Sequence, residues 1–301
     1  MANIMKRTLG RTGEEVTALA YGAMELRGAP RGREIAPDDA GKLLNAVLDG
    51  GINFIDTSID YGVSEELIGK YISGRRNEYF LASKCGCWAS EGEPPPSEGG
   101  RFPHIYTKEN IIAGVEQSLR RMNTDHLDLV QLHGSPTQAV LEQHGAVNTM
   151  LDLQKQGKVR FLGMSGTHPN LPDHITMGVF DAFQIPYSAV ELEHEGAMSD
   201  ASKAGAGIII RGGVAKGDPG GEGHGGDSWS RWGKANLDDL LEGMTKTQFM
   251  LRFTITNPDL DTTIVGTASL DHLADNLKTM EAGPLPADVY DEAKRRLSGV
   301  A

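Results

Sequence analysis

The chain has 301 residues, of which 39% are hydrophobic and 23% are charged, so it is long enough to bury a sizeable core. Its formal net charge of -12 argues against a role in tracking the phosphates of a nucleic acid. The amino terminus lacks an apolar signal core, and no apolar stretch approaches the roughly 20 residues that span a bilayer. We therefore expect a cytoplasmic protein, with one domain over residues 1–301, that binds neither nucleic acid nor a membrane.

Short apolar runs recur along the chain, and most of them end in a polar residue before a loop. Such runs, bounded by Gly, Pro, Asp or Ser, are typical of buried parallel strands. They lie at residues 18–22, 52–56, 79–84, 127–133, 161–165, 180–184, 207–211 and 262–267. Residues 8–13 are typical of a turn between two brief strands, which we expect to close the bottom of a barrel.

Segments with helical spacing lie between several of these runs. Residues 40–48 and 111–119 place apolar side chains at i, i+3 and i+4, and Thr107 is a capping residue before the second segment. Further helices are expected at 146–155, 247–256 and 270–280. This alternation predicts a (β/α)8 barrel, and an open, doubly wound parallel sheet is the alternative architecture.

Two glycine-rich loops interrupt the alternation, at residues 90–103 and 212–234. Both follow strands, so in a barrel they lie at the carboxyl-terminal face, where loops carry function. Aromatic residues border both loops, which favours a substrate pocket over plain surface insertions. The predicted pocket residues are Met24, Trp88 and Trp229, with Tyr21, Phe102, Tyr106 and Trp232 as further candidates.

The chain has two cysteines, Cys85 and Cys87, separated by one residue. This spacing is too close for an ordinary disulfide, and two cysteines are too few for a structural zinc site. We therefore expect two reduced thiols near a strand end and no metal.

Four residues form a set that can handle a proton. Asp56, Lys84 and His133 each end a predicted strand, and Tyr61 follows five residues after Asp56. In a barrel these positions meet at the mouth. A carbonyl that accepts hydride also needs a proton, which the Tyr61 hydroxyl can donate. Lys84 is expected to lower the pKa of Tyr61 from about 10, Asp56 to orient Lys84, and His133 to donate a hydrogen bond to the carbonyl.

The segments around these residues resemble the aldo-keto reductase superfamily. The similarity is carried by GINFIDTSIDYG at 51–62, ASK at 82–84, SLRRM at 118–122 and LDLVQLH at 127–133, and it extends from about Leu9 to Asn276. It implies hydride transfer between a nicotinamide cofactor and a small carbonyl, alcohol or sugar. It implies Tyr61 as the general acid and base, with Lys84 and Asp56 tuning it. The alternative is a cofactor-sensing regulatory subunit, similar to the β subunits of potassium channels.

The resemblance also implies a cofactor site along the later strand ends. Ser165 and Gln184 would bind the carboxamide, with Gly166 where the family has Asn, and Arg211 would stack on the nicotinamide. Residues 213–217 resemble the strap over the pyrophosphate, and 266–276 resemble the adenosine turn before the last helix. The residues assigned in this way are Ser165, Gly166, Gln184, Arg211, Val214, Lys216, Arg231, Gly266, Thr267, His272, Asp275 and Asn276.

The adenosine turn lacks the Lys or Arg with which the family often binds a 2′-phosphate. Lys216 and Arg231 stand where channel β subunits and their bacterial relatives supply phosphate contacts. The resemblance therefore favours NADP(H), with NAD(H) as the alternative.

Overall fold

A computed structural model of the protein describes residues 4–89, 96, 102–215, 217 and 229–300. In it, eight parallel strands close into a barrel, and two short antiparallel strands precede them. Each predicted run overlaps one barrel strand, so the (β/α)8 barrel is confirmed and the open sheet is wrong. In chain order the strands are β1 (Lys6–Thr8), β2 (Glu15–Thr17), β3 (Leu19–Gly22), β4 (Phe54–Asp56), β5 (Phe80–Cys85), β6 (Leu127–His133), β7 (Val159–Ser165), β8 (Ala182–Pro186), β9 (Gly207–Arg211) and β10 (Thr262–Val265).

Helices alternate with the barrel strands along the chain. All the predicted helices are present, and the Thr107 hydroxyl caps one of them by accepting the Asn110 backbone N–H. None of the helices in the described part of the chain is long and apolar enough to cross a membrane. The helices are α1 (Pro37–Asp49), α2 (Ser64–Ile72), α3 (Lys108–Met122), α4 (Gln138–His144), α5 (Ala146–Lys155), α6 (Leu171–Thr176), α7 (Glu195–Lys203), α8 (Ser230–Lys234), α9 (Lys246–Thr256), α10 (Leu270–Glu281) and α11 (Ala287–Ser298).

The amino-terminal hairpin closes one end of the barrel, as expected. Leu9 and Val16 are fully buried against a layer of inward side chains that includes Phe54, Phe80 and Leu129. The Arg7 guanidinium fixes the hairpin by donating to the backbone carbonyl of Ile255 at 2.8 Å. Because apolar packing fills this end of the barrel, a ligand is expected at the open face that the carboxyl ends of the strands form.

The strand ends present a ring of polar side chains at that open face. Asp56 ends β4, His133 ends β6, Ser165 ends β7 and Arg211 ends β9, while Lys84 is the next-to-last residue of β5. Parallel pairing places His133 beside Ser165, and Ser165 beside Gln184 of β8. The two glycine-rich loops that follow β5 and β9 lie largely outside the described residues.

Candidate active site

A buried ion pair lies at the centre of the open face. The Lys84 ammonium is 2.6 Å from Asp56 Oδ2, and neither side chain is more than 5% exposed. Lys84 also donates to the Thr57 carbonyl at 2.8 Å. The side-chain amides of Gln131 and Gln184 each donate to Asp56 Oδ1 at 2.9 Å. A buried ion pair is tolerated only when its remaining hydrogen-bonding capacity is used, and here both carboxylate oxygens are occupied.

Lys84 keeps its charge in this environment. Burial by itself lowers the pKa of a lysine, but Asp56, through its charge and its hydrogen bond, together with Tyr61 and Asp60 outweighs burial, so the pKa of Lys84 is raised. The Lys84 ammonium nitrogen lies 5.0 Å from the centroid of the Tyr61 ring. A fixed positive charge is therefore held beside the tyrosine.

Tyr61 lies on the turn that follows β4. Its backbone N–H donates to the Ser58 carbonyl at 3.0 Å. The next residue must be glycine, because a Cβ at Gly62 would lie 2.0 Å from the carbonyl oxygen of Arg27. Burial raises the pKa of Tyr61, and the Lys84 charge only partly offsets this rise. Lys84 therefore acts on the pKa of Tyr61 in the expected direction, but burial outweighs it, and the hydroxyl carries its proton at neutral pH.

His133 is held beside a cysteine at the rim of the site. Its Nδ1 lies 3.1 Å from Cys87 Sγ. Burial and the nearby Lys84 charge lower the pKa of His133 to about 3. The ring is therefore neutral at physiological pH and has one N–H to donate, as the orientation of a carbonyl oxygen requires.

We expect the His133 imidazole to stay neutral between about pH 8 and pH 5, the range in which an unperturbed histidine becomes protonated. Nitrogen NMR of protein with labelled histidine rings measures this directly, with His133→Asn used to assign the signal. The protonated form of His133 is disfavoured in the folded state. Below about pH 6.5, the pKa of an unfolded histidine, protonation of His133 in the unfolded chain should therefore lower the free energy of unfolding. A His133 signal that titrates near its unperturbed value would contradict this electrostatic description.

The neighbouring strand ends form the polar edge on which the cofactor was predicted to lie. The Ser165 hydroxyl donates to Gln184 Oε1 at 3.3 Å, and the Gly166 N–H donates to the Gln184 backbone carbonyl at 3.2 Å. Arg211 follows on β9, and its Nε is buried without a hydrogen-bond partner among the described residues. Such a buried donor is costly unless a ligand meets it.

The predicted adenosine turn leads into α10. Tyr21 donates its hydroxyl to the Thr267 carbonyl at 2.8 Å, and the Ser269 side chain caps α10 by accepting the His272 backbone N–H. A Cβ at Gly266 would lie 2.9 Å from the carbonyl oxygen of Gly22, so this position needs glycine. The first N–H groups of a helix have no partner within the helix, so the start of α10 suits a phosphate.

Comparisons with known proteins agree with this geometry. The family model described as the Aldo/keto reductase family matches residues 18–296. The chain belongs to the aldo/keto reductase family. The holo form of the aldo-keto reductase AKR11C1 from Bacillus halodurans superposes with a TM-score of 0.83 at 26% identity, covering 98% of this chain and 96% of that one.

Curated relatives extend the similarity. An uncharacterized oxidoreductase, YqkF, from Bacillus subtilis is 24% identical over 92% of this chain and 91% of its own length. L-galactose dehydrogenase from Arabidopsis thaliana is 33% identical over 64% of this chain, and the matched part spans 56% of that relative. Members of the family use nicotinamide cofactors, and the Nε of Arg211, unpartnered among the described residues, is a donor that fits such a group beside Ser165 and Gln184.

Other predicted cofactor residues have partners within the protein. Arg231 pairs with Glu193 at 2.9 Å and donates to the Val190 carbonyl at 3.3 Å. The Asp275 carboxylate accepts a hydrogen bond from Gln248 at 2.8 Å. Of the remaining assigned residues, Val214 is half-buried, His272 is exposed, Asn276 is buried, and Lys216 lies outside the described residues.

The candidates for the substrate pocket differ in how deeply they are buried. Trp232 is 2% exposed and packs edge-on against Phe249. Trp229 is also buried beside it, and its indole N–H donates to the Ala215 carbonyl at 3.3 Å. Trp88 packs against Phe102 with ring centroids 4.7 Å apart, and Met24 is 38% exposed. Tyr21 is buried, and its hydroxyl is bound to the turn before α10.

Sequence reasoning missed several polar residues that shape the site. Gln131 lies two residues before His133 on β6, so both side chains point into the barrel, and its amide binds Asp56. Its position as a polar residue within an apolar run was the available signal. Asp60 Oδ1 lies 4.0 Å from His133 Nδ1, and the ring of His104 meets that of His133 edge-on with centroids 5.1 Å apart. Nothing in the sequence spacing connects His104 with His133.

Proposed function

We propose that this protein is an NADP(H)-dependent oxidoreductase that reduces a small aldehyde or ketone, or oxidises the matching alcohol or sugar hydroxyl. Tyr61 is its general acid and base. The observation that carries the proposal is the fully buried Lys84–Asp56 pair, which holds an ammonium group beside the Tyr61 ring. Burying the two charges costs desolvation energy, and a buried ion pair beside a tyrosine is more typical of a functional site than of a purely structural one.

The proton transfer follows from these contacts. In the direction of reduction, the Tyr61 O–H donates its proton to the substrate oxygen, and the resulting tyrosinate is stabilised by Lys84. The neutral His133 ring donates a hydrogen bond that orients the same oxygen. A nicotinamide cofactor, when bound, supplies or accepts the hydride. Asp56, held by Gln131 and Gln184, keeps the Lys84 ammonium in place throughout.

The cofactor would lie across the ends of β7 to β10. Ser165 and Gln184 would bind its carboxamide, Arg211 would stack on its nicotinamide ring, and the first turn of α10 would bind a phosphate. Gly266 and Thr267 would shape the adenosine turn, while Asp275 and Asn276 would contact the adenine. The 2′-phosphate of NADP(H) then requires a cation, for which Lys216 and Arg231 are our candidates.

We expect NADPH to bind more tightly than NADH, and the double variant Lys216→Ala with Arg231→Ala to remove that difference. A charge-assisted hydrogen bond contributes roughly 1.5–3 kcal/mol, which corresponds to about ten-fold or more in affinity for each contact. Fluorescence titration with both cofactors measures the change. To bind the phosphate, Arg231 must exchange its ion pair with Glu193.

Two further variants complete this titration, one as a control and one as a test of another phosphate contact. Lys234→Ala removes an exposed charge from the same helix, α8, and should leave both affinities unchanged. Lys42 of α1 lines a surface cavity together with residues 268–271, so Lys42→Ala tests a second possible phosphate contact. Equal affinity of the wild type for NADH and NADPH, or equal losses in the double variant, would favour NAD(H) and an oxidative role.

Activity is tested with a panel of aldehydes, ketones and sugars, each assayed with both cofactors in both directions. Sugars belong in the panel because one relative is named L-galactose dehydrogenase. Steady turnover of at least one compound supports an enzyme. Cofactor binding with a single slow turnover would support the alternative, a cofactor-sensing regulatory subunit.

A further inference from the structure

Three side chains from separate parts of the chain converge at the rim of the barrel beside the proposed active site. The ligand atoms of Cys87, His104 and His133 all lie within 4.8 Å of one another. Cys87 is buried, His133 is half-buried and His104 is exposed. One side of the group is therefore accessible from solvent, and the other side is anchored in the barrel.

The distances between the three ligand atoms suit a small transition-metal ion. Zinc binds sulfur at about 2.3 Å and imidazole nitrogen at about 2.0–2.1 Å, so its ligand atoms are roughly 3.5 Å apart in a tetrahedron. Cys87 Sγ and His133 Nδ1 are 3.1 Å apart, and no pair in the group exceeds 4.8 Å. Small side-chain adjustments bring these atoms to the distances that zinc requires.

The backbone around the group is held by its own hydrogen bonds. The Asn110 amide donates to the carbonyls of Cys87 at 2.8 Å and of Ile105, the neighbour of His104, at 2.7 Å. The Tyr106 hydroxyl donates to the His133 carbonyl at 2.5 Å. These bonds tie together the three segments that carry the ligands, so little chain entropy opposes metal binding.

A glycine makes room for the exposed histidine. A Cβ at Gly134 would lie 2.7 Å from Nδ1 of His104, and Gly134 has a φ of +93°. The His104 ring therefore packs directly against the backbone that follows β6. This contact directs the ring towards His133, whose ring it meets edge-on.

We propose that Cys87, His104 and His133 bind a thiophilic transition-metal ion, with Zn²⁺ as the best match. One thiolate and two imidazoles are ligands that zinc prefers, whereas magnesium and calcium prefer oxygen. The nearby Asp60 carboxylate, with Oδ1 4.0 Å from His133 Nδ1, adds a second negative charge close to the cation but lies outside the group of three ligands. We expected no metal from the sequence because two cysteines are too few for a structural zinc site, and the two histidines are far from Cys87 along the chain.

The proposed metal site shares His133 with the proposed active site, but metal binding requires no catalytic activity. Metal binding is measured without substrate or cofactor, so its failure leaves the oxidoreductase proposal standing. Conversely, a protein without turnover still binds zinc if the ligand geometry is as described.

Cobalt(II) replaces zinc as a spectroscopic probe. We expect the wild type to bind one equivalent of Co²⁺ in tetrahedral geometry, with the near-ultraviolet absorption of a cobalt–thiolate bond, and Zn²⁺ to displace it. Cys87→Ser should remove that absorption, and His104→Gln should weaken Zn²⁺ binding by roughly ten-fold or more, in line with the effect of perturbing a metal site. Cys85→Ser is the matched control, because Cys85 is buried in β5 outside the group and should have no effect.

Two results would overturn the proposal: absence of stoichiometric binding to the wild type, or a cobalt–thiolate absorption that persists in Cys87→Ser. Circular dichroism and a thermal melt establish that each variant is folded. If Cys87→Ser does not fold, the exposed His104 decides the matter, and unchanged Zn²⁺ affinity in His104→Gln then contradicts the site.

Discussion

Replacing Tyr61 with phenylalanine is expected to lower kcat/KM for carbonyl reduction by roughly 10²- to 10⁴-fold, the contribution of a positioned general acid. The substitution removes only the hydroxyl and leaves the ring beside Lys84. Cofactor affinity, measured by fluorescence titration, should therefore change little. A loss of kcat with an unchanged cofactor Kd indicates an interaction made in the transition state.

Tyr71→Phe is a matched control for this substitution. Tyr71 lies on α2, away from the strand ends, and its hydroxyl donates to Asp38 at 2.8 Å on the surface. That variant should retain full activity. If Tyr61→Phe keeps even about a tenth of the wild-type activity, the proton donor is another group, because a positioned acid contributes far more than this.

Replacing Lys84 with methionine is expected to lower activity by roughly 10²-fold or more, since the acid–base step then lacks its stabilising charge. The loss of the Lys84 charge also predicts the direction in which the pH profile shifts. Oxidation of an alcohol requires tyrosinate, and Lys84 lowers the pKa of Tyr61 against the effect of burial. Without the ammonium the pKa rises further, so the residual oxidation should appear only at higher pH. The measurement is the pH profile of kcat/KM.

The methionine variant leaves the Asp56 carboxylate buried without its cation, which costs about 3–5 kcal/mol of stability when one partner of a buried pair is removed. A double variant, Lys84→Met with Asp56→Asn, removes both charges and provides a folded protein for the same profile. An unchanged pH dependence in a variant with a native fold would exclude Lys84 from tuning Tyr61.

The barrel could be predicted because buried parallel strands are continuous apolar runs that end at one face. Asp56, Lys84 and His133 are visible as polar residues at the ends of such runs. Short helices such as α4 and α6 offered only two turns of periodicity and were missed. In α11 the buried Val289, Ala293 and Leu297 recur every four residues within a polar segment, which is too sparse a pattern to recognise.

The finer electrostatics of the site depend on three-dimensional contacts. Gln184 reaches Asp56 across 128 residues of sequence, a contact that no local pattern indicates. The net rise in the pKa of Tyr61 comes from burial, which a sequence does not report. The ion pair of Arg231 with Glu193 is likewise a consequence of packing between α8 and the segment before α7.

The central claim, hydride transfer with Tyr61 as the proton donor, is tested most directly by following an isotope. NADPH carrying deuterium at carbon 4 of the nicotinamide, on one face and then on the other, is incubated with the most active compound of the panel. We predict that deuterium from one face appears on the former carbonyl carbon of the product over many turnovers, and that Tyr61→Phe slows this transfer by the same factor of roughly 10²- to 10⁴-fold. Transfer of at most one equivalent of deuterium per protein, with no further turnover in the presence of excess NADPH and substrate, would contradict this and would support a sensor of its cofactor.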